Sequence, residues 1–300
     1  MSPDDPRWPR ASAWLREAGG AGPRLQVLGA PLRVRSLSGG RFDLAPGAVR
    51  GALDRFSTFD GKVDVRSVSV RDAGDLPVHE ATPEEALDEI AGAVGTGLSH
   101  AEAVLILGGD NSVTRPAVRG LGLSLERVGV VTVDAHHDLR DTRGGLNNGN
   151  PIRALLEDGL PGENITQIGI QPFANSEPYA AVAADAGIVV HRVEDVRREG
   201  VEPTMRSTLD DLAGRVDAIY VDLDLDVLDR AFAPACPGSR PGGLHPEEVL
   251  TAARVAGMHP AVRAVDLVEV DPERDVAETT VLTAAACVLW FASGLARRPG

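Results

Sequence analysis

The sequence predicts one α/β domain built on a mainly parallel sheet with helices on both faces. Runs that are apolar throughout, such as 103–107 and 128–133, recur along the chain. A strand that is hydrophobic at every residue is buried on both faces, which is the condition of a parallel sheet. Between these runs lie segments with helical spacing and caps, the connections that parallel strands require. No shift in composition and no internal repeat marks a second domain. Residues 24–300 therefore read as one unit, preceded by an N-terminal extension over 1–23.

The extension is rich in Pro, Arg and Gly, and carries Trp8 and Trp14 at a spacing that lets both anchor a short helix on the body. Leu25 to Gly29 suits a first buried strand. The loop through Ser36, Ser38, Gly39, Gly40 and Arg41 has the length of a functional connection, and Pro46 opens a helix to about Phe56. Val63 to Val70 alternates as a strand. Thr82-Pro83-Glu84-Glu85 supplies a cap, a proline in the first turn and a glutamate in the capping-box place, for a helix reaching about His100. A strand over 103–107 follows, then a helix from Arg115, a strand over 128–133 and a helix over 151–157. Next come strand 166–171, helix 176–186, strand 188–191 and helix 203–213. The acidic stretch Tyr220 to Asp229 precedes helix 246–256, strand 264–270 and a C-terminal helix from Thr279.

Composition narrows the function classes. The 300 residues are 43% hydrophobic, enough for a sizeable core. Forty-four acidic against 30 basic residues give a net charge of -14, which argues against nucleic acid or an anionic membrane as partner. Lys62 is the only lysine, so the basic residues are almost all arginine. Cys236 and Cys287 fit neither a zinc spacing nor a disulfide scaffold. The N-terminus has no signal-peptide pattern and no apolar run spans a membrane; the expectation is a soluble, cytoplasmic protein.

Sites in parallel sheets form at the carboxyl ends of the strands, and the polar clusters fall there. Gly108–Ser112, Asp134–Asp138, Asp222–Asp229 and Glu269–Asp271 each follow an apolar run. Asp222, Asp224 and Asp226 alternate with Val221, Leu223 and Leu225, which sets three carboxylates on one side of a strand. Like charges in a row call for a cation between them, and carboxylate oxygens suit Mg, Ca and Mn. An EF-hand is excluded, because the glycine and glutamate positions of that loop, counted from Asp222, hold Val227 and Ala233. In Asp134-Ala135-His136-His137-Asp138, alternation sets Asp134, His136 and Asp138 together and turns His137 away to a packing role. Two carboxylates and an imidazole at that spacing can serve a pair of transition-metal ions.

From about residue 25 to 285 the chain resembles the ureohydrolases: arginases, agmatinases, formiminoglutamases and their relatives. The resemblance rests on Gly108-Gly109-Asp110, Asp134-x-His136-x-Asp138, Asp224-x-Asp226-x-x-Asp229 with Ala233-Pro234 and Pro241-Gly242-Gly243, and Glu269-Val-Asp-Pro. It implies a three-layer α/β/α sandwich around a mainly parallel sheet of about eight strands, with two Mn2+ ions per chain. By the match, Asp134 and Asp224 would bridge the ions, Asp138 would sit on one, and His136 and Asp226 on the other. Glu269 would hold the cationic group of the substrate. Family members are commonly trimers or hexamers, so a homo-oligomer is expected.

Two departures from the family pattern point to a branch. Asn111 stands where the family usually has a histidine ligand, which would leave one ion weakly held. Asn147-Asn148-Gly149-Asn150-Pro151 replaces a His-Gly loop, with Asn148 at the substrate. Both changes are similar to formiminoglutamase, which converts N-formimino-L-glutamate and water to L-glutamate and formamide in histidine breakdown. Asp138 would orient the attacking hydroxide there. Arg140, Arg143, Arg153 and Arg240 are the candidates for the substrate carboxylates. An agmatinase or guanidino-acid hydrolase is the alternative within the family, and a metal-poor, non-catalytic member the alternative outside catalysis.

Overall fold

The apolar runs become eight strands: β1 (Leu25–Ala30), β2 (Val70–Asp75), β3 (Ala103–Gly108), β4 (Val128–Val133), β5 (Ile165–Ile170), β6 (Val189–Arg192), β7 (Ala218–Asp224) and β8 (Val262–Val268). In the computed structural model, which describes residues 5, 7–16 and 22–298, they form one sheet in the order β2-β1-β3-β8-β7-β4-β5-β6. Every adjacent pair is parallel. Side chains alternate across it. Leu105 and Leu107 of β3 enter one apolar cluster, whereas Val104 and Ile106 enter the other. Each fully buried aliphatic side chain of this kind contributes about 1.5–3 kcal/mol.

The helices are α1 (Ala11–Arg16), α2 (Ala45–Ala52), α3 (Leu87–Leu98), α4 (Thr114–Arg119), α5 (Pro151–Glu157), α6 (Glu177–Ala186), α7 (Val193–Glu199), α8 (Val201–Ala213), α9 (Pro246–Met258) and α10 (Thr279–Leu295). Helices α1, α2, α7, α8, α9 and α10 cover one face and α3 to α6 the other, which makes three layers. Asn150 precedes α5, whose first residue is Pro151, and Thr82 and Glu85 close their capping box one turn before α3. No helix of the described residues is long and apolar enough to cross a membrane.

Three expectations shift. The strand read at 63–70 begins only at Val70, because Val65 and Val68 turn inward to the core around a 3-10 turn over Val65–Ser67. β2 is an edge strand, and its exposed polar residues hide the apolar signature. Between β6 and α8 the chain makes the extra helix α7, separated from α8 by Gly200 at φ 90. Of the two tryptophans in the N-terminal extension, Trp14 is buried and donates its indole N–H to the Val68 carbonyl at 2.9 Å, whereas Trp8 lies 44% exposed.

The topology creates the crevice. From β3 the chain crosses over β8 and β7 to lay down β4, then proceeds outward through β5 and β6. The connections at the carboxyl ends of the neighbouring strands β7 and β4 leave in opposite directions, toward β8 and toward β5, and ligands in such sheets bind where this happens. The ends of β3, β4, β7 and β8 surround that point.

Candidate metal centre

Each of these four strand ends delivers acidic or amide side chains. After β3, Asp110 caps a 3-10 turn that carries Asn111, accepting the Ser112 N–H at 3.0 Å. After β4, Asp134 Oδ1 accepts the His136 N–H at 2.7 Å. After β7, Asp224 Oδ1 accepts the Asp226 N–H at 2.8 Å. In the last two cases one carboxylate oxygen fixes the loop; the second Asp134 oxygen is buried without a hydrogen-bond partner, and Asp224 lines the cavity. The acidic stretch therefore does not continue as a strand: β7 ends at Asp224 and Asp226 sits in a 3-10 turn. Asp222 lies one layer deeper, opposite Asp266 of β8 in the sheet register. Burial, then repulsion from Asp266, raises its carboxyl well above the usual range.

Asp138 and Glu269 reach the site by a costlier route. Both have left-handed backbone, at φ 52 and φ 65, a conformation that costs a non-glycine residue about 1–3 kcal/mol. Glu269 is buried; its Oε1 accepts the Asn111 N–H and Asn148 Nδ2–H, both at 2.8 Å. Asn148 Oδ1 in turn accepts the Leu37 N–H at 2.9 Å. The second Glu269 oxygen remains available to a cation. Asp138 accepts the Asn111 Nδ2–H at 2.6 Å.

The electrostatics of the cluster are those of a cation site. Ligand atoms of Asp134, His136 and Asp226 lie within 4.8 Å of one another, and His136 Nδ1 is 3.0 Å from Asp226 Oδ2. Asp134 Oδ2 and Asp226 Oδ1 are buried with no hydrogen-bond partner. Burial, then the Asp226 charge, pushes Asp134 up to about 6. Burial and neighbouring carboxylates raise Asp138 and Asp224 well above the usual range. Glu269 rises to about 8 through burial and the charges of Asp110 and Asp226. For His136, burial favours the neutral ring, but Asp226 and Asp134 outweigh it and push the pKa up to about 12. Unpaired buried carboxylates each cost several kcal/mol. Oxygen donors with one imidazole and one amide suit a hard or borderline divalent cation such as manganese.

These groups border a cavity of about 410 Å³, lined by His136, Asp138, Asp224, Asp226 and Glu269 on the metal side. Arg140 and Arg240 also line it. Arg240 donates to the carbonyls of Pro237, Gly238 and Ser239, and the Arg140 guanidinium has no carboxylate partner among the described residues. Arg143 and Arg153 are placed differently: they pair with Asp141 and Glu157 and do not line the cavity. His137 turns away and bonds Gln167 Oε1 at 2.6 Å through Nδ1.

Sequence reading missed the residues that shape the site without touching a ligand. Gly238 is one: a Cβ there would overlap Asp226 Oδ2. Asp229, grouped by sequence with the acidic cluster, instead accepts the N–H groups of Ala231 and Gly242 at 2.9 and 2.6 Å and ties down the loop carrying Gly238 and Arg240. Its place in Asp224-x-Asp226-x-x-Asp229, followed by Pro-Gly-Gly, was the available signal.

Comparison with known proteins agrees with this geometry. A formimidoylglutamase of Bacillus subtilis (strain 168) is 35% identical over 279 residues, covering 91% of this chain and 88% of the relative. The crystal structure of formimidoylglutamase from that organism superposes with a TM-score of 0.92 at 32% identity, over 99% of this chain and 95% of the other. The Trypanosoma cruzi formiminoglutamase structure with Mn2+ superposes at 0.86 with 25% identity, over 97% and 100% of the two chains. The Arginase family profile matches residues 24–292, and the chain belongs to the arginase family.

Proposed function

We propose that the protein is a manganese-dependent hydrolase of linear amidines, converting N-formimino-L-glutamate and water to L-glutamate and formamide. The observation that carries this reading is one cavity lined by two kinds of group. Its floor holds buried carboxylates with an imidazole, and its wall holds Arg140 and Arg240. An amidinium belongs at the first and the substrate's carboxylates at the second. Two relatives that are 35% and 36% identical over most of the chain, named formimidoylglutamases, support the same substrate.

Asp134, Asp224, Asn111, Asp138, His136 and Asp226 would together hold two ions. Bound manganese would supply Lewis acidity and an activated water near neutral pH. The remaining work falls to the chain's own groups. Glu269, anchored through Oε1, offers its free oxygen to the amidinium and holds the amidine carbon over the floor. Asp138 orients the attacking water and takes its proton. As the carbon–nitrogen bond breaks, the glutamate nitrogen receives a proton from Asp138 or solvent, and formamide departs. Asn111 is a weaker donor than imidazole, so one of the two ions is weakly held.

A substrate panel tests the assignment. Hydrolysis of N-formimino-L-glutamate should greatly exceed that of agmatine, which offers an amine where the arginines expect carboxylates. Charge-assisted hydrogen bonds are worth about 1.5–3 kcal/mol, so Arg140→Ala should raise KM for formiminoglutamate about 10- to 100-fold with kcat little changed. A preference for agmatine would overturn the substrate while leaving the metal chemistry intact.

A further inference from the structure

Behind Asn111 lies a buried set of hydrogen bonds that the reaction itself does not use. Thr114, at the start of α4, is fully buried, and its Oγ1 is 2.7 Å from Asn111 Oδ1 and 2.9 Å from Asp266 Oδ2. The same Asp266 oxygen accepts the Tyr220 hydroxyl at 2.6 Å, and both residues are fully buried. Tyr220 and Asp266 lie on adjacent central strands, β7 and β8. On the other side, Asn111 Nδ2 donates to Asp138 Oδ2.

A threonine hydroxyl has one proton and cannot donate to both neighbours. If it donates to Asn111 Oδ1, the amide is held with its nitrogen on Asp138 and its oxygen away from the metal position. If it donates to Asp266, as Tyr220 does, it presents a lone pair to Asn111. Only the amide nitrogen can satisfy that lone pair. A half-turn of the amide about Cβ–Cγ then brings Oδ1 to the side of Asp138. There it would face a carboxylate oxygen, which is repulsive unless a cation lies between them. The two amide orientations thus correspond to a centre without a cation at that position and a centre with one.

We propose that Thr114, held by Asp266 and Tyr220, is a positioning residue that turns the Asn111 oxygen toward the weaker manganese ion. This rests on the metal reading above and adds the reason why an amide can serve at that place. The device is built into the sheet: Asp266 accepts the Thr114 O–H, Thr114 Oγ1 accepts the Asn111 amide N–H, and the amide oxygen is left to the ion. Groups behind a metal ligand typically change metal affinity about 10- to 100-fold when removed.

The test is manganese binding, followed by equilibrium dialysis and elemental analysis on wild type, Thr114→Val, Thr114→Ser and Asp266→Leu. Valine keeps the shape and removes the hydroxyl; serine keeps the hydroxyl. A leucine at 266 removes the acceptor and so leaves the hydroxyl proton to Asn111. The expected result is two ions in wild type and Thr114→Ser, with affinity for one of them lowered at least tenfold in Thr114→Val and Asp266→Leu. The other ion should be unchanged. Should either variant fail to fold, the remaining one reads the same quantity. Wild-type affinity for both ions in a folded Thr114→Val or Asp266→Leu protein would overturn the positioning role alone. A wild type that never takes up a second ion would overturn the two-ion reading and this role with it.

Discussion

Asp224→Ala is expected to abolish metal retention and turnover together, and Asp134→Ala to do the same. Each carboxylate uses one oxygen to fix its own loop, through the Asp226 N–H or the His136 N–H. Under the proposed two-ion reading, removal deletes a ligand shared by both ions and loosens the turn that carries a second one. Lewis-acid activation is worth several kcal/mol of barrier, which is about a thousandfold or more in rate. Metal content by elemental analysis and formamide release should fall in parallel, with the fold retained by circular dichroism. A variant that keeps turnover within tenfold of wild type would refute the role of that carboxylate.

The second large effect is on stability. In protein stripped by a chelator, the thermal midpoint should fall as pH rises from about 5 to about 8, and manganese should restore it, more strongly at the higher pH. Asp134 is held up to about 6 and Glu269 to about 8, against about 4 for carboxylates in an unfolded chain. Over that window the native state keeps protons that the unfolded state has released, so stability declines with pH. His136, pushed up to about 12, acts in the same direction above about 6.5. Asp226 is lowered and contributes only below the ordinary carboxylate range, outside the window. A tenfold change in acidity is worth about 1.4 kcal/mol, so the sum is of the order of a few kcal/mol. At about 2–4 °C per kcal/mol, the midpoint should drop on the order of 10 °C. A bound divalent cation favours the ionised carboxylates and the neutral ring, which reverses the slope. Calorimetry with and without manganese at several pH values measures this; a midpoint that climbs from pH 5 to 8 in stripped protein would contradict the assigned shifts.

Much of the architecture could be read from the chain because burial on both faces leaves a plain mark. β3, β4 and β5 are buried at every residue, and the polar residues that follow β3 and β4 stand out by contrast. The edge strand β2 carries no such mark, since only its first residue is buried. The helix α7 was lost because it abuts α8 with Gly200 alone between them. Within the site, alternation placed Asp134 and His136 together and turned His137 aside. It failed at Asp226, where the chain leaves the strand, and it had no means to show that Asp138 and Glu269 need left-handed backbone. The arginines divide for a reason local spacing hides: Arg153 meets Glu157 one helical turn away and Arg143 meets Asp141. Arg140 and Arg240 border the cavity instead. Thr114 and Asp266, distant in sequence and fully buried, meet behind Asn111, a contact that no local pattern marks.

The proposed reaction needs two ions acting on an amidine held between Glu269 and Arg140. Its most direct test is to titrate Mn2+ into chelator-stripped protein while measuring metal bound and formamide released from N-formimino-L-glutamate. The expected result is no turnover without metal and a weaker second ion, with activity rising as that ion binds. Full turnover in metal-free protein, or two bound ions with no formamide, would contradict it.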